Sequence, residues 1–535
     1  MRRTMGRWYS NLLAALILVS FGGAAAHGAS GIKVDSDRIL AMCTRCHANH
    51  DGIVSRISFQ RKTPEGWEET LWRHKRIHGL AVSREQKEDL LLYLSDRHGL
   101  APAEVAPFAY TLEKRDTREK VEGQAIIDVC VRCHSYAKAA LQRRTPEEWS
   151  KLANMHSGVL PWWLYQLQDV LDWDETLAAA VKELGKRFPL ETAEWKQWIG
   201  ARPKTGDGKW VVAGYQAGKG AYAGEIEMKK TGDFAYAYTG NVEFEGGEKQ
   251  PISGKATLYG GYAWRAAGTL GGKPIREVFH LSADGTTLTG ARFEDPHFEL
   301  RGMETRTFAG GSAKILSVIP KALPAGAKDA KLTIVGTNLP KPGTEGVGFG
   351  DGVAVRKVVS ASSTKVVVSV DVDGKAPTGS RTARVGRDEV KGLFGVYAAV
   401  DYIKVVPSPA MSRTGGLGLV VKQMVQFDAM AYSNGADGVP GNEDDIEIGR
   451  VPAAWKVVEL MNAPDDDDID FVGAIDRNGL FTPAEDGPNP KRRLQNNNVG
   501  DVWVTATYTP AGGSALSARG YLLATIPLMV QRPVQ

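Results

Sequence analysis

Cys43-Thr-Arg-Cys46-His47 and Cys130-Val-Arg-Cys133-His134 are the two stretches that decide how the first third of this chain is read. Two thiols at i and i+3 fall on one helical face and can add to the two vinyl groups of a haem as thioethers. The histidine at i+4 then lies beneath the iron as its proximal ligand. A single CxxC also serves redox and zinc sites. Two copies, each with its histidine, use all four cysteines of the chain and leave none for a disulfide. The expectation is two covalent haem c groups, held by Cys43, Cys46, Cys130 and Cys133, with His47 and His134 on the irons.

Each motif is followed by a second shared signature, Arg61-Lys-Thr-Pro-Glu-Gly-Trp67 and Arg143-Arg-Thr-Pro-Glu-Glu-Trp149. Seven residues beyond each tryptophan stands a histidine, His74 and His156. This internal repeat selects His74 and His156 as distal metal ligands and predicts two bis-histidine haems. Met155 directly before His156, and His78 one helical turn after His74, are the competing choices. The difference matters because Met/His ligation raises the potential relative to bis-histidine. His50, His98, His280 and His297 stand outside the repeat and are not expected to ligate.

Working outward, the chain opens with Arg2, Arg3 and Arg7, an apolar run from Asn11 to Ser20, and the small residues to Ala26. These are the parts of a secretory signal peptide, residues 1–26, with a run too short to span a bilayer. Cleavage after Ala26 or Ala29 would place the mature protein in the periplasm, with no membrane span. Losing three arginines and no acids lowers the formal charge from +4 to +1, a balance that excludes nucleic-acid binding by composition.

Composition changes near residue 200. Before it, Thr145-Pro-Glu-Glu148 and Ser83-Arg-Glu-Gln86 are capping boxes ahead of apolar stripes, so residues 31–200 read as an all-α dihaem cytochrome c domain. After it, glycines multiply and alternating segments such as Phe234-Ala-Tyr-Ala-Tyr238 and Val502-Trp-Val-Thr-Ala-Thr-Tyr508 read as short strands. Three all-β domains are predicted: a barrel-like unit at 201–310 and immunoglobulin-like sandwiches at 311–402 and 403–535. No nucleophile stands beside a base in this part, so catalytic residues: none. The acidic stretch Asp437 to Asp445 has the look of a calcium turn, and Asp465 to Asp468 is a second cluster; neither has EF-hand spacing, and both read as solvated loops.

The tandem CxxCH units with TPE(G/E)W, the glycine-rich segment, and Gly435-Ala-Asp-Gly-Val-Pro-Gly-Asn-Glu-Asp-Asp-Ile446 and Asn478-Gly-Leu-Phe-Thr-Pro-Ala-Glu-Asp-Gly487 in the last domain resemble the alpha subunit of quinohaemoprotein amine dehydrogenase. The resemblance covers essentially the mature chain. It implies a heterotrimer with a propeller beta subunit and a small gamma subunit bearing cysteine tryptophylquinone, which oxidises primary amines. The haems of this chain would pass the electrons to a soluble cytochrome c or cupredoxin. The residues agree: the chain can carry electrons, but it has no spare cysteine for a quinone. Two rival readings are a dihaem cytochrome c peroxidase, which needs an open sixth position and an acid/base group above it, and a cell-surface haem protein using its β domains for adhesion.

Overall fold

The computed structural model describes residues 31–115, 117–159, 161–203, 205–416 and 420–527. The expected signal peptide lies outside the described residues.

The haem repeat is a structural repeat. Each CxxCH follows a short helix, Asp37–Cys43 or Gln124–Val129, with Cys130 capping the second. Each Thr-Pro starts a fourteen-residue helix, Pro64–Ile77 or Pro146–Val159. The threonine hydroxyl accepts from a backbone N–H three residues on, Gly66 or Glu148, which satisfies an orphan donor of the first turn. Proline at N1 has no N–H to satisfy there. Trp67 and Trp149, each 1% exposed, anchor the two helices. The Trp67 indole donates to the His98 carbonyl at 2.9 Å, and that of Trp149 to the Phe188 carbonyl at 3.2 Å. His98 and Phe188 are the C-caps of a further helix in each unit, Arg84–Arg97 and Trp173–Arg187.

The expectation of an all-α first domain is corrected. Gln60–Lys62 and Gln142–Arg144 are strands that pair antiparallel with each other, Arg61 opposite Arg143, and Asn49–His50 pairs with Ile53–Val54. The reason lies in the repeat. Proline crowds the helical conformation of the residue before it, so each threonine is held extended, as Thr63 is, and the short strand runs straight into it. Each extended segment satisfies its backbone on its counterpart, joining the two units across a pseudo-symmetric pair. The β part is also less uniform than expected: a four-residue helix, Asp468–Phe471, interrupts the last domain. Across the described residues strand exceeds helix, 41% to 22%, so the chain as a whole is mostly β.

Eight strands between Gly208 and Phe308 close into a barrel in which each pairs with the next and the first, Gly208–Gln216, pairs with the last, Arg301–Phe308. Closure removes the exposed edges that an open sheet would present. Residues 314–397 form two four-stranded sheets, and 402–525 pack three- and four-stranded sheets over a separate apolar core. The first haem unit shares one hydrophobic core with the barrel, while the second unit has its own. Arg265 of the barrel pairs with Glu65 at 2.6 Å, fixing the Pro64–Ile77 helix against the barrel wall. At the far side, Asp428 of the last domain accepts from the Tyr215 hydroxyl at 2.8 Å and from the Gly218 N–H at 3.0 Å. The barrel is therefore the hub. Among the described residues no helix is long and apolar enough to cross a membrane.

Candidate haem centres

None of the four cysteines pairs with another; Cys43 and Cys130 are half-buried, Cys46 and Cys133 exposed. Burial pushes the Cys43 and Cys130 thiols up to about 11. In each motif the first cysteine faces the interior and the second lies at the surface, which is how two thiols can grip one edge of a flat cofactor from a single turn. In the first unit the His47 N–H closes back on the Cys43 carbonyl at 3.1 Å, so the motif is wound as a helical turn.

His74 faces His47 across a gap, ring centroids 6.1 Å apart. Metal–imidazole bonds run about 2 Å, and a ring centre lies about 1 Å behind its nitrogen by covalent geometry. Two imidazoles on opposite sides of one iron would thus sit about 6 Å apart, centre to centre. His78, the competing choice, caps the C-terminus of the same helix, is exposed, and lies 5.3 Å from the His74 ring.

The two distal candidates are held alike. His74 Nδ1 is 2.8 Å from the Thr70 carbonyl and His156 Nδ1 is 2.8 Å from the Leu152 carbonyl, each one helical turn back. A carbonyl can only accept, so Nδ1 carries the proton and Nε2 is left with its lone pair outward, the form a metal ligand requires. Burial, more than any neighbouring charge, moves both imidazoles below the usual histidine range and favours that neutral form. His134 is likewise fixed, its Nδ1 2.9 Å from the Ser135 carbonyl.

In the second unit Cys130, Cys133, His134, Met155 and His156 line one cavity of ≈ 1130 Å³ that runs on between the haem units, the barrel and the last domain. That exceeds the about 300–1,000 Å³ of most small-molecule pockets. Trp163 lies tilted against the His156 ring, centroids 5.1 Å apart. Met155 lines the same cavity, so both distal choices of the second unit stand beside it. In the second unit the cysteines, the imidazoles and the largely apolar walls of this cavity fit a haem; in the first unit the fit rests on the His47–His74 spacing.

The other histidines are placed elsewhere. His98 is fully buried against Trp67 and Tyr93, where burial lowers it to about 4. His280 lies against Tyr262 in the barrel wall, His297 pairs with Glu299, and His50 is exposed. In the acidic turn the carboxylates hold the loop itself: Asp444 accepts from Ala436 N–H at 2.7 Å and Asp445 from Gly441 N–H at 2.6 Å. Glu459, Asp466 and Asp468 lie together, but Asp468 is already paired with Arg492.

Sequence reasoning missed the use made of the paired cations in the repeat signature. Arg61 and Arg143, opposite one another on the joining strands, converge on the buried Glu104, which takes two bonds from Arg61 at 2.8 and 2.9 Å and one contact from Arg143 at 2.9 Å. The signal was present as the doublet ahead of each Thr-Pro.

Two CxxCH turns, each accompanied by an imidazole whose Nδ1 is tied to a backbone carbonyl, define a multidomain haem-binding protein. Comparison with known families is specific. Residues 34–195 match the family described as quinohemoprotein amine dehydrogenase A, alpha subunit, haem binding. Residues 203–307, 312–398 and 403–534 match domains II, III and IV of the same alpha subunit. The chain belongs to the alpha subunit family of quinohemoprotein amine dehydrogenase, part of an oxidoreductase of several subunits. No curated protein matches it. Among solved structures it is similar to a redesigned β-barrel bound to DFHBI (14% identity, TM-score 0.18, 20% of this chain and 95% of that one). It is also similar to human protocadherin-24 EC1-2 (13%, TM-score 0.17, 42% and 99%). A third is the Bacteroides ovatus SGBP-B in complex with mixed-linkage heptasaccharide (8%, TM-score 0.19, 59% and 60%).

Proposed function

We propose that this chain is the dihaem electron-transfer subunit of a periplasmic amine dehydrogenase, taking electrons from a quinone on a partner subunit and passing them to a soluble cytochrome c or cupredoxin. The observation that carries the reading is the His47–His74 pair, whose rings stand at the spacing two axial ligands of one iron require. Cys43 and Cys46, and Cys130 and Cys133, are the attachment thiols; His47 and His134 are the proximal ligands, and His74 and His156 the distal ones.

Bound haem supplies reversible one-electron chemistry. The chain's own part is to hold that chemistry still. Thr70 and Leu152 fix the tautomer and aim of the distal imidazoles, and Trp163 packs over His156 to keep water from its face. With His74 and His156 as second ligands, a bound haem would have no open position for a peroxide, which weighs against the peroxidase reading. The amine chemistry, on this account, belongs to a cysteine tryptophylquinone in the gamma subunit, with a propeller beta subunit completing a heterotrimer.

Intact mass spectrometry of the denatured, exported chain tests the attachment. Two haem additions that survive acid–acetone extraction are expected, and cleavage of residues 1–26 should appear in the same spectrum. One addition or none overturns the reading.

A further inference from the structure

Lys62 and Arg144 occupy equivalent places in the two repeats. Each follows the arginine that binds Glu104, each donates its backbone N–H to the carbonyl that ends a helix of its own unit (His98 or Phe188), and each lies over its unit's tryptophan. Both are buried, 4% and 3% exposed. They differ in what neutralises them. Glu148 sits one turn from Arg144 and is shared with Arg56 and Lys151. The equivalent of Glu148 in the first unit is Gly66, against whose backbone the Lys62 stem packs. Lys62 is left with one neutral partner, the Thr70 hydroxyl at 2.7 Å, and no carboxylate within ion-pair distance among the described residues.

The neighbouring charges do not repair this. Glu69 is divided between Arg73 at 3.6 Å and Lys138 at 3.1 Å, while Glu68 pairs with Lys87 and Glu65 with Arg265. Burial, with Arg144 and Arg73 adding to it, holds the Lys62 ammonium well below the usual lysine range. A buried ammonium without a counter-charge is costly. Lys62, Arg73 and Arg144 all line the cavity that holds Cys130, Cys133, His134 and His156.

We propose that Lys62, Arg73 and Arg144 form a cationic seat for the propionate carboxylates of the second haem, so that a lysine of the first repeat completes the haem site of the second. The inference rests on the reading that Cys130 and Cys133 attach a haem. Charge-assisted hydrogen bonds to a carboxylate are roughly twice as strong as neutral ones, and a propionate would bring the counter-charge that Lys62 lacks. The seat also biases the potential. Reduction adds one electron to the iron, and cations in a low-dielectric surround favour the more negative reduced form.

The test uses the full chain carrying its haems, with spectroelectrochemical titration of both midpoints and intact mass as the haem count. Lys62→Met and Arg73→Gln should each keep two haems and lower the midpoint of one of them, leaving the other in place. Lys62→Arg, which keeps the charge, should keep the wild-type midpoint. If the Lys62→Met chain does not fold, Arg73→Gln, whose side chain is half-exposed, carries the test. Unchanged midpoints in the neutral variants, or a Lys62→Arg shift as large as that of Lys62→Met, overturns the seat. A wild-type chain with a single haem by mass overturns the attachment reading and the seat with it.

Discussion

His47 and His74 face one another with ring centroids 6.1 Å apart and planes tilted by 34°, although one ends a CxxCH turn and the other sits near the end of a separate helix. The helix is aimed by its Thr63 cap and by Trp67, whose indole is bonded to a carbonyl of a third element. The pair is thus a product of tertiary packing, and breaking it should have a spectroscopic consequence.

His74→Ala should convert one low-spin haem to a high-spin or water-ligated form, read by electron paramagnetic resonance. His78→Ala should leave the spectrum unchanged. The reverse result would move the ligand to the exposed histidine at the helix end.

For the second unit, His156→Ala should have the same effect on the other haem and Met155→Leu should be silent. If the wild type shows a methionine–iron charge-transfer band that Met155→Leu abolishes, the distal ligand is Met155.

Glu104 is the buried acid on which Arg61 and Arg143 meet. Glu104→Gln leaves two buried guanidiniums short of a charge and should cost about 3–5 kcal/mol in chemical denaturation. Burial on its own would raise the Glu104 carboxyl, but Arg61 and Arg143 outweigh it and hold it below the usual glutamate range. A depressed carboxylate stabilises the fold above its unfolded pKa and loses that contribution as pH falls through its folded value. The acid limb of the stability curve should therefore flatten in Glu104→Gln; an unchanged limb would show that the two strands are held by other contacts.

Within the barrel, Arg306 bridges Glu277 and Glu304, each at 2.5 Å, with all three side chains fully buried. Arg306→Met leaves the buried Glu277 without a cation and Glu304 with Arg292 alone, and should destabilise the barrel by about 3–5 kcal/mol, measured by the thermal transition. Because the barrel shares its core with the first haem unit, the low-spin signal of the His47–His74 haem should melt with it. Independent melting would separate the barrel from the haem support.

Much of this was legible in the sequence because it is local. Thr-Pro-Glu-x-Trp fixes a capped helix and its anchor, Ser83 and Gln86 form the capping box expected of them, and alternation marks the barrel strands. What was not legible depends on distant partners. The strands Gln60–Lys62 and Gln142–Arg144 are three residues each and carry no periodic signal; only the other copy of the repeat makes them a sheet. Glu104 lies outside either copy, so the destination of Arg61 and Arg143 could not be read from the doublets. The barrel interior hides a charged network behind an ordinary alternating pattern, since the buried positions of its strands include Glu277, Glu304 and Arg306.

The central claim is that electrons reach this chain from an amine oxidised on another subunit. The most direct measurement is anaerobic visible spectroscopy of the haems on adding a primary amine, to the isolated chain and to the native complex. The account predicts that dithionite reduces both samples, that the amine reduces the haems only in the complex, and that an external cytochrome c or cupredoxin reoxidises them. Amine-driven haem reduction in the chain alone, or a native complex whose haems ignore the amine, would contradict it.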